Sequence, residues 1–392
     1  MLPKASDRQS KLTMNSNTAQ VLTSLAEANT GGRKPPEKDQ NYALSLLQEA
    51  LELFQRCLNL QEFKYNQAQE DVVNATEPLA DNGDLDQNSS NSAASNASEE
   101  EVWASVEEPI TKHTLLDTAV AQLDTLTATC GLGGSRSHNN LAWIEEYYRT
   151  ELQAKIKFYV GDVGDISHQY DAALAKAKFS GAIADAAFRS GHLDLLTYEQ
   201  EINAAFTAPE LHLEHDPQGL WDRADVELTF RSSIQASIAN AQLVELPQVA
   251  NICWKHITKA LDSLTTASKL PDALNLPRIH LRRGDCEMLR LCLGEAPLHY
   301  DLAIKSKPTL LKNAGVYYRG AGALAKRDKG DEEEQRDAEI KEAVAAALSD
   351  DAQRLAALIK LQRGLVEATV EEMRDENLLG DESLRKIGTI FA

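Results

Sequence analysis

Residues 49–70 read EALELFQRCLNLQEFKYNQAQE, and the spacing of Ala50, Phe54 and Cys57 within them decides how the chain is read. Steps of four and three residues put a small, an aromatic and a second small side chain on one face of a helix. Upstream the same face carries Ala43, Leu46 and Leu47, and downstream Leu58. The pattern predicts a helix from Asp39 to about Val73, roughly 50 Å at 1.5 Å per residue. One helix of that length cannot bury its stripe alone, so a neighbour is required.

The segment upstream offers little. Residues 1–36 are polar, hold a short helical stretch at Thr18–Ala28 and close on GGRKPP (31–36), and are expected to form a disordered tail. Downstream, residues 74–101 (NATEPLADNGDLDQNSSNSAASNASEEE) have almost no large apolar side chains and cannot offset their conformational entropy by burial. They are expected to be a disordered acidic insertion in a helical domain spanning 37–392. The Phe54 face is then expected to close against the next apolar stripe, Leu116, Ala119, Val120, Leu123, Leu126 and Cys130, with the insertion looping out. Loop-closure entropy grows slowly enough with length to allow this.

The rest of the chain keeps a helical rhythm. LAWIEEYYRTELQAKIKFYV repeats Ile144, Tyr148, Leu152, Ile156 and Tyr159 at about four residues, and two helices meet at Gly191. Further helices are expected at 219–242 and 247–270. Pro271, Pro277, Pro297 and Pro308 then divide the chain into shorter pieces, the last starting at Pro308. KGDEEEQRD (329–337) reads as a charged joint before helices at 338–348, 352–373 and a short amphipathic end. About ten to twelve helices and no strand are expected: the fold class is all-α.

Composition narrows function. The chain has 392 residues, 43% of them hydrophobic, 6% aromatic, and a formal net charge of -20. That balance argues against phosphate-backbone binding as the main activity, so no direct nucleic-acid partner is expected. Between Lys64 and Lys112 there is no Lys or Arg, while 11 acidic residues there, including Glu99, Glu100 and Glu101, carry over half of the excess. The insertion reads as a solvated linker, a phosphoregulated segment or a decoy for a basic client. No signal-peptide core and no apolar run of membrane-spanning length is found, so a cytoplasmic location is expected, with nuclear entry left open. Cys57, Cys130, Cys253, Cys286 and Cys292 sit in apolar helical patterns and read as small core residues.

Ala50, Phe54 and Cys57 resemble the second helix of a tetratricopeptide (TPR) repeat, where small, aromatic and small residues pack on the preceding helix. That preceding helix is missing from the reading, because KPPEKDQ (34–40) lies in its place. FSGAIADAAFRSGHLDLLTYEQEINAAF is similar to a TPR turn, with small Ala184, a turn at Gly191, and Ala205 and Phe206 closing the pair. No regular 34-residue period connects the two units. VWASVEEPITKHTLLDTAVAQLDTLTATCG and LAWIEEYYRTELQAKI also resemble segments of a fungal family of TPR-like proteins. The resemblance implies a right-handed stack of antiparallel helix pairs with a concave binding surface, and no particular chemistry.

Motifs for chemistry are thin. His212 and His215 in HLEHD stand at i and i+3, not the i and i+4 spacing of HExxH, and no third ligand is in view. Cys286 and Cys292 are six apart with no CxxC partner. GLGGSRS (131–137) follows a helix and lacks a P-loop lysine, so it reads as a helix end. Arg283-Gly284-Asp285 reads as a helix joint. Of Tyr147 and Tyr148, and of Tyr317 and Tyr318, one of each pair is expected in the core and the other along a groove. Lys312 and Asn313 are present without the rest of a TPR carboxylate clamp. No catalytic, metal, cofactor or small-molecule site is expected. The function expected is a non-enzymatic protein-interaction scaffold; the alternative is an acidic escort for a basic client, and an enzyme comes third.

Overall fold

The computed structural model describes residues 5–30, 36–76, 109–132, 138–162, 165–239, 246–327 and 332–391. All regular structure among them is helical. Fourteen α-helical segments occur: α1 (Ala5–Thr30), α2 (Glu37–Thr76), α3 (Lys112–Leu132), α4 (His138–Tyr147), α5 (Gln153–Asp162), α6 (Ile166–Arg189), α7 (Leu195–Ala205), α8 (Pro217–Ala239), α9 (Leu246–Ala267), α10 (Leu276–Cys292), α11 (Asp301–Arg327), α12 (Glu332–Leu348), α13 (Gln353–Asp375) and α14 (Asp381–Phe391). None is long and apolar enough to cross a membrane. The acidic insertion lies outside the described residues, except that Asn74–Thr76 end α2.

The first correction concerns the N-terminus. Where the sequence suggested a disordered tail, α1 packs along α2 and touches α3. Its buried side chains are small and sparse, Ala19 and Ala26 with half-buried Leu22, so their apolar signal is weak. Helix α1 lies against the face of α2 that carries Ala50 and Phe54. Phe54 and Ala50 close on Ala19 and Leu22, with Ala121 of α3 at the edge. The expected pairing of α2 with α3 is also present, carried by Leu51 and Leu58 against the Leu115–Leu126 stripe. Thr23 and Thr125 hydroxyls, 3.1 Å apart, join α1 to α3 directly.

Helices α4 and α5 are continuous through a π-helical turn at Tyr148–Leu152. The four-residue repeat of Ile144, Tyr148, Leu152 and Ile156 explains it. An α-helix turns every 3.6 residues, so a strict repeat of four drifts off one face, and a wide π turn absorbs the extra residue. Ile144, Leu152 and Tyr159 are thereby all buried.

Elsewhere turns fall where expected. Helices α6 and α7 meet at Gly191, whose φ of 78° favours glycine, and Asp194 caps α7 by accepting from Thr197 N at 2.8 Å. Tyr198 of α7 stacks on Phe188 at 4.6 Å and meets Phe230 of α8, tilted, at 4.5 Å, fastening the pair to its neighbour. One proline and one acidic run depart from the reading. Pro277 starts α10 as expected, but Pro308 lies inside α11, which begins at Asp301. Burial of Ala303, Leu310 and Leu311 on both sides of it offsets the lost hydrogen bond. The charged joint at 329–337 is helical from Glu332, where three glutamates meet the positive end of α12.

Packing follows a pattern. Helices pair as α1–α2, α6–α7, α8–α9, α10–α11 and α12–α13, with α3 paired to the α4–α5 rod. First helices of neighbouring pairs touch at α1–α3, α3–α6, α6–α8 and α10–α12, whereas α10 meets the preceding pair mainly through α9, and α14 packs on both α12 and α13. Helix α14 closes the C-terminal end. The Glu295 carboxylate accepts from Glu382 N at 2.9 Å and from Ser383, capping its N-terminus, and Lys386 Nζ donates to Leu348 O at 2.9 Å.

Candidate interaction groove

Three first helices, α3, α6 and α8, enclose a cleft of about 240 Å³. Its floor is made of small side chains because the helices approach closely. Gly181 of α6 faces Val226 of α8, and a Cβ there would lie 2.7 Å from Val226 Cγ1. Gly131 and Thr127 of α3, Ala182 of α6 and exposed Thr229 of α8 complete the wall.

Carboxylates set its electrostatics. Asp185 faces the cleft but is consumed: it is buried, and it accepts from Arg189 Nε at 2.7 Å, from Tyr198 Oη at 2.7 Å and from Ser233. Arg189 in turn donates to Cys130 O at 2.8 Å and so fastens the end of α3 to α6. The rim is less saturated. Lys178 Nζ lies 2.9 Å from Asp124 Oδ1 and 3.9 Å from Asp222 Oδ2. Burial opposes its charge, but Asp124, Asp222 and Glu27 together raise its pKa. Asp225 reaches Arg282 of α10 at 3.3 Å. Asp222 and Asp225 line the cleft and Asp124 lies behind them on Lys178, so three carboxylates face the two cations Lys178 and Arg282. Burial pushes the Asp222 carboxyl up, opposed by Lys178; burial likewise pushes Glu27 up, against Lys178 and with help from Asp124. A further cation entering the cleft would relieve both.

The motifs singled out in the sequence disperse. His215 is exposed beside Glu214 at 3.8 Å, and no third donor joins it or His212 among the described residues. Burial pushes the Cys286 and Cys292 thiols up to about 12, which disfavours the thiolate a metal needs. Arg283-Gly284-Asp285 lies within α10: Arg283 stacks 4.1 Å over Tyr317, Gly284 meets the Tyr318 ring, and Asp285 accepts from Tyr318 Oη at 2.9 Å. Tyr318 is core, while Tyr317 is half-buried under that guanidinium. Tyr147 and Tyr148 both join the core edge, Tyr147 donating to Gln55 Oε1 at 2.9 Å and Tyr148 packing on Phe179 at 4.7 Å. Asn313 donates to Glu287 at 3.1 Å. Of GLGGSRS, Gly131 and Leu132 end α3, and 133–137 lie outside the described residues. The cleft itself escapes sequence reading because Thr, Gly, Ala and Asp carry no motif.

No family model, no curated protein and no solved structure matches the chain.

Proposed function

We propose that the protein is a non-enzymatic scaffold whose first helices, stacked as in a right-handed TPR-like array, present the α3–α6–α8 cleft to a protein partner. The observation that supports this is the contact of α3 with α6 and of α6 with α8, beside which lie the cleft, its small-residue floor and its carboxylates. Rows of such contacts form the concave face of helical-repeat proteins, where extended partner segments bind. A basic side chain flanked by small residues matches this cleft in charge and size.

A second reading, an escort for a basic client, is favoured by one further observation: the rim's excess of carboxylates agrees in sign with the net charge of -20. Complementary charge would speed association and make it salt-sensitive. No catalytic step is assigned.

The test is affinity purification of the full chain, followed by titration of the recovered partner, purified, against three variants. Thr229→Arg, which fills the cleft mouth with like charge, should abolish binding. Asp222→Asn/Asp225→Asn should weaken it most at low salt, and Leu274→Arg, at an exposed site away from the cleft, should leave it intact. Equal affinity for all three would refute the cleft. Loss only on removing residues 77–98 would move the binding site to the acidic insertion.

A further inference from the structure

Two histidines and an aspartate that are distant in sequence converge at the head of α3. His113 stands in its first turn, Asp165 is the residue that caps α6, and His168 lies in the first turn of α6. One nitrogen from each histidine and one oxygen of Asp165 lie within 4.8 Å of one another. The rings meet edge to face with centroids 4.4 Å apart, and His113 Nδ1 is buried without a hydrogen-bond partner. A buried ring nitrogen in that state costs free energy unless something binds it.

We propose that His113, His168 and Asp165 form a site for a divalent transition-metal ion of the zinc type, which staples the start of α3 to the start of α6. Two imidazoles and one carboxylate suit such ions and discriminate against calcium and magnesium, which take oxygen donors. His168 Nδ1 and Asp165 Oδ2 are already 2.9 Å apart. Donors around zinc at tetrahedral angles stand about 3.3 Å apart, so His113 has at most about 1.5 Å to close from its 4.8 Å limit. The other nitrogen of His168, Nε2, faces Asp117 Oδ1 at 3.9 Å, the place of a carboxylate that orients a ligating imidazole. Both helices point their positive ends at the site, which opposes a cation. The negative charges of Asp117 and Asp165, both against His168, offset this. Lys112, the adjacent cation, is turned over the Phe158 ring at 5.0 Å. Three protein donors leave a coordination position for water, as in exchangeable zinc sites.

The test uses untagged full-length chain stripped with chelator and titrated with Co2+ as a spectroscopic probe, then with Zn2+. The expected result is one saturable visible d–d band typical of nitrogen and oxygen ligands, displaced by Zn2+, with affinity falling in acid as protons compete with the ion for its donor atoms. His168→Gln and Asp165→Asn should each weaken binding at least about tenfold with an unchanged far-UV spectrum, since Asn still caps the helix. His212→Gln/His215→Gln should change nothing. Absence of a saturable band overturns the proposal, as does a sulfur-to-cobalt charge-transfer band, which would assign the ion to cysteines. Full affinity in His168→Gln overturns it too. The wild-type spectrum alone decides the matter if a variant fails to fold.

Discussion

Replacing Lys341 with Met should open the C-terminal third of the chain, and the size of the effect follows from its surroundings. The Lys341 side chain is 5% exposed, with Asp285 Oδ1 at 3.4 Å, Asp337 Oδ2 at 3.3 Å and Glu376 Oε2 at 3.9 Å. It thus joins α10, α12 and α13, and Tyr318 of α11 reaches the same Asp285. Methionine keeps the volume and removes the charge, leaving buried Asp285 and half-buried Asp337 and Glu376 facing one another without their cation. Breaking a buried pair in this way costs about 3–5 kcal/mol. As pH falls from 7 to 5 the stranded carboxylates take up protons, so the loss should shrink. A chain of stacked helices need not unfold in one step, so the assay is amide hydrogen exchange by mass spectrometry at both pH values. Peptides from α10–α13 should lose protection at pH 7, and those from α3–α6 should not. Adding Asp285→Asn should cost less than the sum of the two single changes. An Lys341→Met protein with wild-type protection in α12, or a loss that grows at pH 5, would refute the argument.

Three further outcomes are expected. Asp337, whose carboxyl is 25% exposed, is pushed up to about 6 by burial, opposed by Lys341. Being raised, it contributes stability that is present below pH 3.8 and lost as pH rises through about 6, about 3 kcal/mol in all; exchange rates in α12 should show this loss and Asp337→Asn should flatten it. Phe54→Ala, at the junction of α1, α2 and α3, should lower stability by about 3–5 kcal/mol in thermal unfolding and free α1 to proteolysis. At Gly284 an added Cβ would lie 2.4 Å from the Tyr318 ring, so Gly284→Ala should destabilise by about 1–3 kcal/mol in urea despite a gain near 1 kcal/mol in helix propensity, and Tyr318→Leu should relieve part of the loss.

Most helices could be read from the sequence, because their stripes carry Leu, Ile and Phe at helical spacing. Helix α1 is legible only in part: Thr18–Ala28 reads as helical, but its packing does not, because what it buries is Ala19, Ala26 and part of Leu22. Pro308 misled for a related reason: its local penalty is visible in the sequence, whereas the packing of Leu310 and Leu311 that outweighs it is tertiary. The Phe54 face reads as needing a partner, and α3 is one as expected, while α1 adds a second that the sequence does not show. Site chemistry was least legible. His113 is separated from His168 by a helix, a π turn and another helix, and the cleft is lined by residues common to any helix surface.

The π turn at Tyr148–Leu152 acts as a phase shifter in the α4–α5 rod. Removing one residue there would restore an ordinary α-helix and rotate everything on its N-terminal side by about 100° relative to Ile156 and Tyr159. Ile144 would swing out of the core, and Tyr147 would lose its bond to Gln55. Elsewhere in the rod an inserted residue would produce the same error with opposite sign. This stretch therefore keeps time for both of its halves: its length is constrained to the single residue even where side-chain identity is not.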